Sequence, residues 1–122
     1  MKNAGIDLIW VVVKDIQQAI KFYTEVLNFK LHEYAKEYGW AELISADGAW
    51  LGLAQENGEF NMKAGTNAVV AISVPNIEEA RDAIKSKGAK LLGDIMEIPG
   101  EVKLQTFVDP DGNMFQLCQK LK

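Results

Sequence analysis

The sequence contains little cysteine, histidine or proline: its 122 residues include one Cys, one His and three Pro. Because Cys118 stands alone, no intrachain disulfide can form, and we expect a reducing, cytoplasmic setting. Long apolar runs are also lacking. The longest, Leu8–Val13, has six residues, whereas a bilayer-spanning helix needs about 20. The N-terminus has no long apolar stretch of the kind that signal peptides carry. We therefore expect no membrane partner.

An excess of positive charge is absent as well. Lys and Arg number 13 against 17 Asp and Glu, so the formal net charge is −4. An acidic surface repels phosphate backbones, and no cluster of basic residues interleaved with aromatics is present, so we expect no nucleic-acid partner. Apolar residues make up 48% of the chain, which is enough for the core of one globular domain covering residues 1–122.

What the sequence does contain is an internal repeat. Leu8–Ile16 and Val69–Ile77 both consist of an apolar run, a short polar residue and an isoleucine, and they lie 61 residues apart. The polar residues, Asp15 and Asn76, are good helix N-caps because their side chains can accept from free backbone N–H groups. Each is followed by apolar residues at spacings of three and four, which predicts one amphipathic helix in each half.

Turn signals complete the pattern in each half. Asp47-Gly48 and the segment Asp109–Gly112 predict β-hairpins. Each half then comprises a strand, a helix and three strands, with strands expected at 5–13, 30–36, 40–46, 49–55, 67–74, 90–97, 102–108 and 113–119. The predicted fold class is α+β. Two tandem βαβββ modules, at about 4–56 and 66–121 with a linker at 57–65, form a cup-shaped mixed β-sheet with the helices on its outer face.

Three segments carry a resemblance to a known superfamily: Val13–Ile16, Phe22–Leu31 and Phe107–Leu117. Together they resemble the vicinal oxygen chelate superfamily, which includes glyoxalase I, extradiol dioxygenases, fosfomycin-resistance enzymes and bleomycin-resistance proteins. The resemblance implies a βαβββ module used twice, and many members hold a metal ion in the cup. It is typical of the fold and does not by itself indicate one activity.

The metal-ligand positions of such members correspond here to Leu8, Gly52, Val69 and Gln116. The superfamily uses His, Glu or sometimes Gln at these positions. Leu and Val have no donor atoms, Gly has no side chain, and Gln offers only a neutral carbonyl, whereas a metal site needs three or four converging donors. We therefore expect no metal and no cofactor, and the sequence is closest in character to the metal-free bleomycin-resistance branch.

Strand alternation then predicts which residues line the cup. With four-residue hairpin turns, the lining is apolar and aromatic with a few neutral polar groups, and we expect it to bind a ligand. Its members are Leu8, Trp10, Val12, Leu43, Trp50, Ser73, Gln105, Phe107, Met114 and Gln116. The opposite phase should pack under the helices: Ile9, Val11, Val13, Val70, Ile72 and Val74. On this pairing Glu42 is out of phase with Gly52, and His32 is an exposed strand residue without a metal role.

Three functions remain open from the sequence, which has no nucleophile with an adjacent base. The first is a metal-free protein that binds a small aromatic or cationic, antibiotic-like molecule, and it is the one we favour over an enzyme. The second is a lyase, isomerase or dioxygenase of the same fold. The third is a structural or regulatory dimer module whose cup is filled by side chains or by a partner. The resemblance also implies a homodimer.

Overall fold

The computed structural model describes residues 8–58, 63–65 and 69–122. The chain divides between Ala64 and Gly65 into two compact units, which we call module 1 and module 2. Each contains a strand, a helix and three further strands, so the predicted α+β fold with tandem βαβββ modules is confirmed. Among the described residues, neither helix has the length and apolar character that crossing a bilayer requires.

Module 1 contains one four-stranded sheet with a helix packed on one of its faces. The strands are β1 (Ile9–Val13), β2 (Lys30–Ala35), β3 (Trp40–Ile44) and β4 (Trp50–Gln55), and the helix is α1 (Ile16–Glu25). Their order across the sheet is β1-β4-β3-β2. Strand β1 runs parallel to β4, and the other neighbours are antiparallel. A short 3₁₀ helix, Lys36–Tyr38, joins β2 to β3.

Module 2 repeats this arrangement. Its strands are β5 (Val70–Ser73), β6 (Lys90–Ile98), β7 (Val102–Val108) and β8 (Met114–Lys120), and its helix is α2 (Ile77–Ser86). The order is β5-β8-β7-β6. The eight strands coincide with the eight expected segments to within a few residues, although 5–7, 67 and 68 lie outside the described residues. The described strands form two four-stranded sheets, one in each module, where the sequence predicted a single sheet.

Both helices begin where the capping pattern predicts. Asp15 Oδ1 accepts from the backbone N–H groups of Gln17 and Gln18, at 3.0 and 3.2 Å. Asn76 Oδ1 accepts from Glu79 N at 2.9 Å. These bonds satisfy donors that the first turn of a helix would otherwise leave free.

A second cap, which the sequence analysis missed, fixes each helix to its sheet. Gln55 Oε1, at the end of β4, accepts from Ile16 N at 2.9 Å. Gln119 Oε1, near the end of β8, accepts from Ile77 N at 2.8 Å. The two glutamines follow their hairpin glycines by the same seven residues. A signal was therefore present in the repeat, and this hydrogen bond positions the helix over the last strand of each module.

Both hairpins close with three-residue loops, 46–48 and 110–112. In the first, Gly48 N donates to Ser45 O at 3.0 Å and Ser45 N donates to Ala49 O at 2.9 Å. Gly48 and Gly112 have φ values of +87° and +85°, which completes a type I turn followed by a left-handed residue. The predicted pairing has four-residue turns. The shorter loop shifts the register by one residue and turns the side chains of β3 and β7 to the opposite faces.

This shift corrects the predicted placement of Leu43, Gln105 and Phe107. All three have no exposed surface and lie on the face that carries the helix. Leu43 pairs with Leu51, and Phe107 pairs with Phe115, with ring centroids 5.5 Å apart. The prediction that these residues line the same face as Trp10 and Gln116 is wrong, because their strands are displaced by one residue relative to the expected pairing.

The first strands of the two modules follow the predicted alternation in part. Val11 and Val13 are fully buried in module 1, as expected for residues under α1. Ile9 shares their phase but is 43% exposed. In module 2, Val70 and Ile72 are half-buried. The cores of both modules therefore lie between one sheet face and one helix, and the other face of each sheet carries the remaining predicted site residues of its strands.

Candidate ligand-binding site

We call the sheet face of module 1 that lies opposite α1 the front face. Direct cross-strand partners place their side chains on the same face of a sheet. Trp10 pairs with Gly52, which also pairs with Glu42. The remaining members follow from the same register: Val12, Lys30, Glu33, Ala35, Trp40, Ile44, Trp50 and Ala54. Of the predicted site residues, the structure thus brings Trp10, Val12 and Trp50 together.

All three tryptophans of the chain lie on the front face. Trp10 and Trp50 are 45% and 38% exposed, and Trp40 is half-buried. The rings of Trp10 and Trp40 meet edge to face with centroids 6.1 Å apart and an interplanar angle of 70°. Large aromatic surfaces of this kind contribute strongly to ligand binding because they bury much area and have few rotatable bonds.

A bulge in β2 adds a fourth ring to this face. The pairing of β2 with β3 shifts between Leu31 and Glu33, which leaves His32 as the extra residue. The His32 ring contacts Trp50 edge to face at a centroid distance of 4.7 Å. His32 is exposed, as expected. Its contact with Trp50 is not predictable from strand alternation, because a bulge changes the alternation locally.

The indole of Trp40 occupies the space beside Gly52. A Cβ atom added at Gly52 would lie 2.4 Å from Trp40 Cη2 and 2.7 Å from Leu8 Cδ1. Both distances are well below van der Waals contact, so no side chain fits at position 52 while the indole stays in place. Leu8 and Gly52 are two of the four metal-ligand positions that the resemblance implies. Carbon atoms of Trp40 and Leu8 fill the space beside Gly52, and neither of these two side chains offers a ligand to a metal ion.

Two carboxylates border the tryptophans. Trp40 Nε1 donates to Glu42 Oε2 at 3.0 Å. Glu33 is the cross-strand partner of Glu42 and so lies beside it. The prediction that Glu42 is out of phase with Gly52 is wrong, since the two are direct partners. The front face of module 1 therefore combines indole rings with negative charge, a combination that attracts organic cations.

The corresponding face of module 2 differs in chemistry. Ala71 and Thr106 both pair with Gln116, and Gln116 Nε2 lies 3.4 Å from Thr106 Oγ1. Ser73 is exposed, and Met114 is 39% exposed. None of the described residues that this register places on the face is aromatic. This face offers small, aliphatic and neutral polar groups, with Lys90 and Lys120 at the ends of its strands.

The other two implied metal-ligand positions lie in module 2 and fit a cation no better. Val69 has no donor atom, and Gln116 has one neutral carbonyl oxygen. Within residues 8–58, 63–65 and 69–122, no three His, Cys, Asp or Glu side chains are grouped so that they could hold a metal ion. The donor set of the described residues therefore does not match the metal that the resemblance implies.

Comparison with known proteins links this fold to one superfamily. A sequence profile of the Glyoxalase/Bleomycin resistance protein/Dioxygenase superfamily matches residues 5–117. A probable lactoylglutathione lyase of Vibrio parahaemolyticus is 32% identical over 130 aligned positions, which cover 98% of this chain and 93% of the relative.

Two solved structures with lower sequence identity share the fold. An antibiotic-binding protein from Streptomyces sp. CB03234 superposes with a TM-score of 0.80 at 21% identity, covering 98% of both chains. A fosfomycin resistance protein from Listeria monocytogenes, complexed with Mn(II) and sulfate, superposes with a TM-score of 0.77 at 19% identity. That match covers 96% of this chain and 90% of the other.

Proposed function

We propose that this chain, which belongs to the glyoxalase/bleomycin resistance/dioxygenase superfamily, binds a small aromatic cation on the front face of module 1 without the help of a metal ion. Trp10 and Trp50 provide exposed rings on which a planar ligand can stack. Glu33 and Glu42 provide the charge that selects a cation. The proposal keeps the small-molecule role of the sequence analysis and assigns it to one face of one module.

The observation that carries the proposal is the position of the Trp40 indole across Gly52. A ligand-bearing side chain at position 52 would collide with this ring. The same ring donates to Glu42, so the carboxylate orients the indole. In module 1 an aromatic group thus stands where the superfamily resemblance would place a metal ligand. Binding by ring stacking and charge fits these residues better than binding through a metal.

A preference for cations follows from the two kinds of group on this face. Indole rings attract a cation held near their faces by about 0.5–1 kcal/mol at exposed sites and about 2 kcal/mol where water is excluded. Adjacent carboxylates strengthen that attraction and weaken binding of an anion. Lys30 shares the face as the partner of Ile44, which leaves two carboxylates against one ammonium group. The antibiotic-binding relative supports a binding role for this fold.

The test uses the intrinsic fluorescence of the three tryptophans, all of which lie on the front face. Titration with N-methylquinolinium should give saturable quenching, with neutral quinoline as the comparison compound. Trp50→Ala should abolish saturation. Glu42→Gln keeps an acceptor for Trp40 Nε1 and should weaken binding of the cation about threefold while leaving quinoline unchanged. Glu37→Gln, an exposed acid on the 3₁₀ helix, is the matched control.

Two results would contradict the proposal. One is equal affinity for the cation and its neutral analogue in the unaltered protein. The other is a flat titration across a wider panel of aromatic cations. Elemental analysis of the purified protein addresses the metal directly, because stoichiometric Zn, Ni, Mn or Fe would favour a metal-dependent activity of the superfamily.

A second candidate function is lactoylglutathione lyase activity. It is favoured by the Vibrio relative, with 32% identity over 98% of this chain. An assay for formation and cleavage of lactoylglutathione, with and without added divalent metals, distinguishes it from binding alone. The implied positions Leu8, Gly52 and Val69 lack donor atoms, so we expect no turnover above that of a boiled control.

The implied homodimer is also a proposal, and its readout is separate. Light scattering coupled to size-exclusion chromatography should give twice the monomer mass of 13.5 kDa. A monomeric mass would contradict the proposed homodimer but would not affect the proposal that the front face binds a ligand. If a dimer forms but no compound binds, the structural or regulatory module becomes the better interpretation.

A further inference from the structure

Module 2 contains a cavity on the helix side of its sheet, away from the face that carries Gln116. Its volume is ≈ 410 Å³, and it lies between α2 and strands β6 and β7. Cavities of this size hold small organic molecules. The residues that matter for its chemistry are Arg81, Asp82, Lys85, Gly93, Asp94 and Gln105.

A wide bulge in β6 accompanies this cavity. The pairing of β6 with β7 passes from Leu92 opposite Thr106 to Met96 opposite Leu104. Three residues of β6 therefore stand opposite Gln105 alone. Gly93 has a φ of +71°, a conformation that other residues rarely adopt. Bulges of this kind occur beside functional sites, where they redirect side chains.

Gln105 spans this bulge and is left with one unused atom. Its Nε2 donates to the carbonyl oxygens of Gly93 and Thr106, both at 3.0 Å. The side chain has no exposed surface. Its Oε1 is buried and accepts no hydrogen bond from the described residues. Because this oxygen has no exposed surface, a ligand in the cavity does not reach it, and the contribution of Gln105 to the site is to hold the bulge through Gly93 O.

The cavity also brings together opposite charges that are not used within the protein. Lys85, on α2, and Asp94, on the β6 bulge, form no ion pair with the described residues. Arg81 Nε is paired with the neighbouring Asp82 at 3.1 Å. A cation on the helix wall therefore lines the cavity together with a carboxylate on the sheet wall. This arrangement matches a molecule that carries both charges.

We propose that this cavity binds a small amino-carboxylate of the α-amino acid class. The ligand carboxylate pairs with Lys85, and its ammonium group pairs with Asp94, on the bulge that Gln105 holds through Gly93 O. A simple carboxylate lacks the group that pairs with Asp94, and a neutral aliphatic compound lacks both charges. The site is independent of the front face of module 1, because it lies in the other module and under its helix.

The experiment is a titration of the ¹⁵N-labelled full chain with the L-amino acids, read by heteronuclear NMR. At least one amino acid should shift the amides of Gly93, Asp94 and Gln105 in a saturable way. Its deaminated and its decarboxylated analogues should each bind about tenfold more weakly, because each loses one charge-assisted contact. Lys85→Gln and Asp94→Asn should weaken binding by a similar factor.

Matched controls use charges on the same two elements that do not line the cavity. Lys87→Gln at the end of α2 and Glu97→Gln on β6 should leave affinity unchanged. Gln105→Met keeps the side-chain length and should remove binding if it folds. If this variant does not fold, the Lys85→Gln and Asp94→Asn variants still test whether the cavity binds the amino acid. Trp50→Ala should bind the amino acid normally, which separates this proposal from the function of the front face.

Three outcomes would overturn the proposal. In the first, no amino acid produces a saturable shift at these amides. In the second, the deaminated analogue binds as tightly as the amino acid, which would make the cavity an anion site. In the third, Lys87→Gln or Glu97→Gln reduces affinity as much as Lys85→Gln or Asp94→Asn, which would indicate nonspecific charge effects.

Discussion

The two modules share one hydrogen-bonded frame and differ on the faces that their helices leave open. In each, an Asp or Asn caps the helix, and a glutamine on the last strand binds the first helical N–H. Each hairpin closes through a three-residue loop that ends in glycine. Ser45 Oγ accepts from Ala49 N in one loop, and Asp109 Oδ1 accepts from Asn113 N in the other. The polar contacts that hold the backbone of the helix start and of the hairpin therefore occur at matching positions in both modules.

The open faces carry different residues at matching positions of the repeat. Trp10 corresponds to Ala71, Trp40 to Leu104, and Trp50 to Met114. These differences between the modules leave the hydrogen-bonded frame intact, because the side chains concerned lie on the sheet face away from the helix. The comparison therefore separates residues that hold the module together from residues that are free to change with the ligand.

The largest expected effect separates the two sheet faces. Phe107→Ala removes a fully buried ring that stacks on Phe115, and should lower the free energy of unfolding by about 3–5 kcal/mol. Trp50→Ala removes a ring that is 38% exposed, and should lower it by about 1 kcal/mol. Urea denaturation with a constant m-value measures both. Equal losses would mean that the front face is also core.

A smaller effect is expected at Gly52, where the modules differ in the space beside a matching position. Gly52→Ala should lower the free energy of unfolding by about 2 kcal/mol, because the new methyl group collides with the Trp40 ring. At the matching position, Gln116→Ala should cause a loss of about 0.5 kcal/mol, since the half-buried side chain has only a 3.4 Å contact to Thr106.

A double-mutant cycle tests the cause of the Gly52 effect. In a Trp40→Ala background the ring is gone and Leu8 Cδ1 is the remaining close neighbour, so the additional loss caused by Gly52→Ala should fall to about half or less. An undiminished loss in this background would place the strain at Leu8 or in the backbone rather than in the indole. The interpretation of the front face would then lose its main observation.

The repeat explains why so much of the frame could be predicted from the sequence. The helix caps at Asp15 and Asn76 and the hairpin glycines are local sequence signals, and the occurrence of each signal in both halves supports its interpretation. The length of the hairpin loops could not be predicted in this way. Asp109–Gly112 is compatible with a three- or a four-residue loop, and a difference of one residue moves Phe107 and Gln105 from one face to the other. The side chains on the face away from the helix were therefore predicted correctly for β1 and β4 and wrongly for β3 in module 1 and for β7 in module 2.

Features that depend on contacts between distant residues were beyond the sequence. The predicted site does not include Trp40, although its indole leaves no room for a side chain at position 52. The bulge that exposes His32 to Trp50, and the wider one opposite Gln105, carry no turn signal strong enough to place them. Such contacts are fixed by how strands align, and alignment is a tertiary property.

A third prediction tests whether the second cap has the same role in both modules. Gln55 also donates through Nε2 to Lys14 O, whereas Gln119 makes one cap bond to Ile77. Gln55→Met should therefore reduce the free energy of unfolding by about 2 kcal/mol and Gln119→Met by about 1 kcal/mol. Thermal unfolding followed by circular dichroism measures both. A neutral result for both variants would show that Asp15 and Asn76 suffice as caps.

The smallest effect concerns a contact that each module makes differently. The Lys103 ammonium group, bonded to Glu78 at 3.2 Å, lowers the pKa of that carboxyl below its ordinary value. In module 1, a hydrogen bond from Ser45 lowers the pKa of Asp47. A lowered folded-state pKa favours the folded protein above the unfolded-state value. This contribution is lost as the pH falls through the folded-state pKa. Both contacts should therefore stabilise the folded protein at neutral pH and cease to do so in acid.

Carbon-detected NMR titration of the two carboxyl groups tests this difference. Lys103→Met should raise the Glu78 midpoint toward its ordinary value and leave Asp47 unchanged, whereas Ser45→Ala should do the reverse. Because both carboxyls are solvent-exposed, salt should raise the Glu78 midpoint, whose partner is a full charge, more than that of Asp47, whose partner is a hydroxyl. If salt moved both midpoints equally, the general acidity of the chain would be the common cause, and the two local contacts would not distinguish the modules.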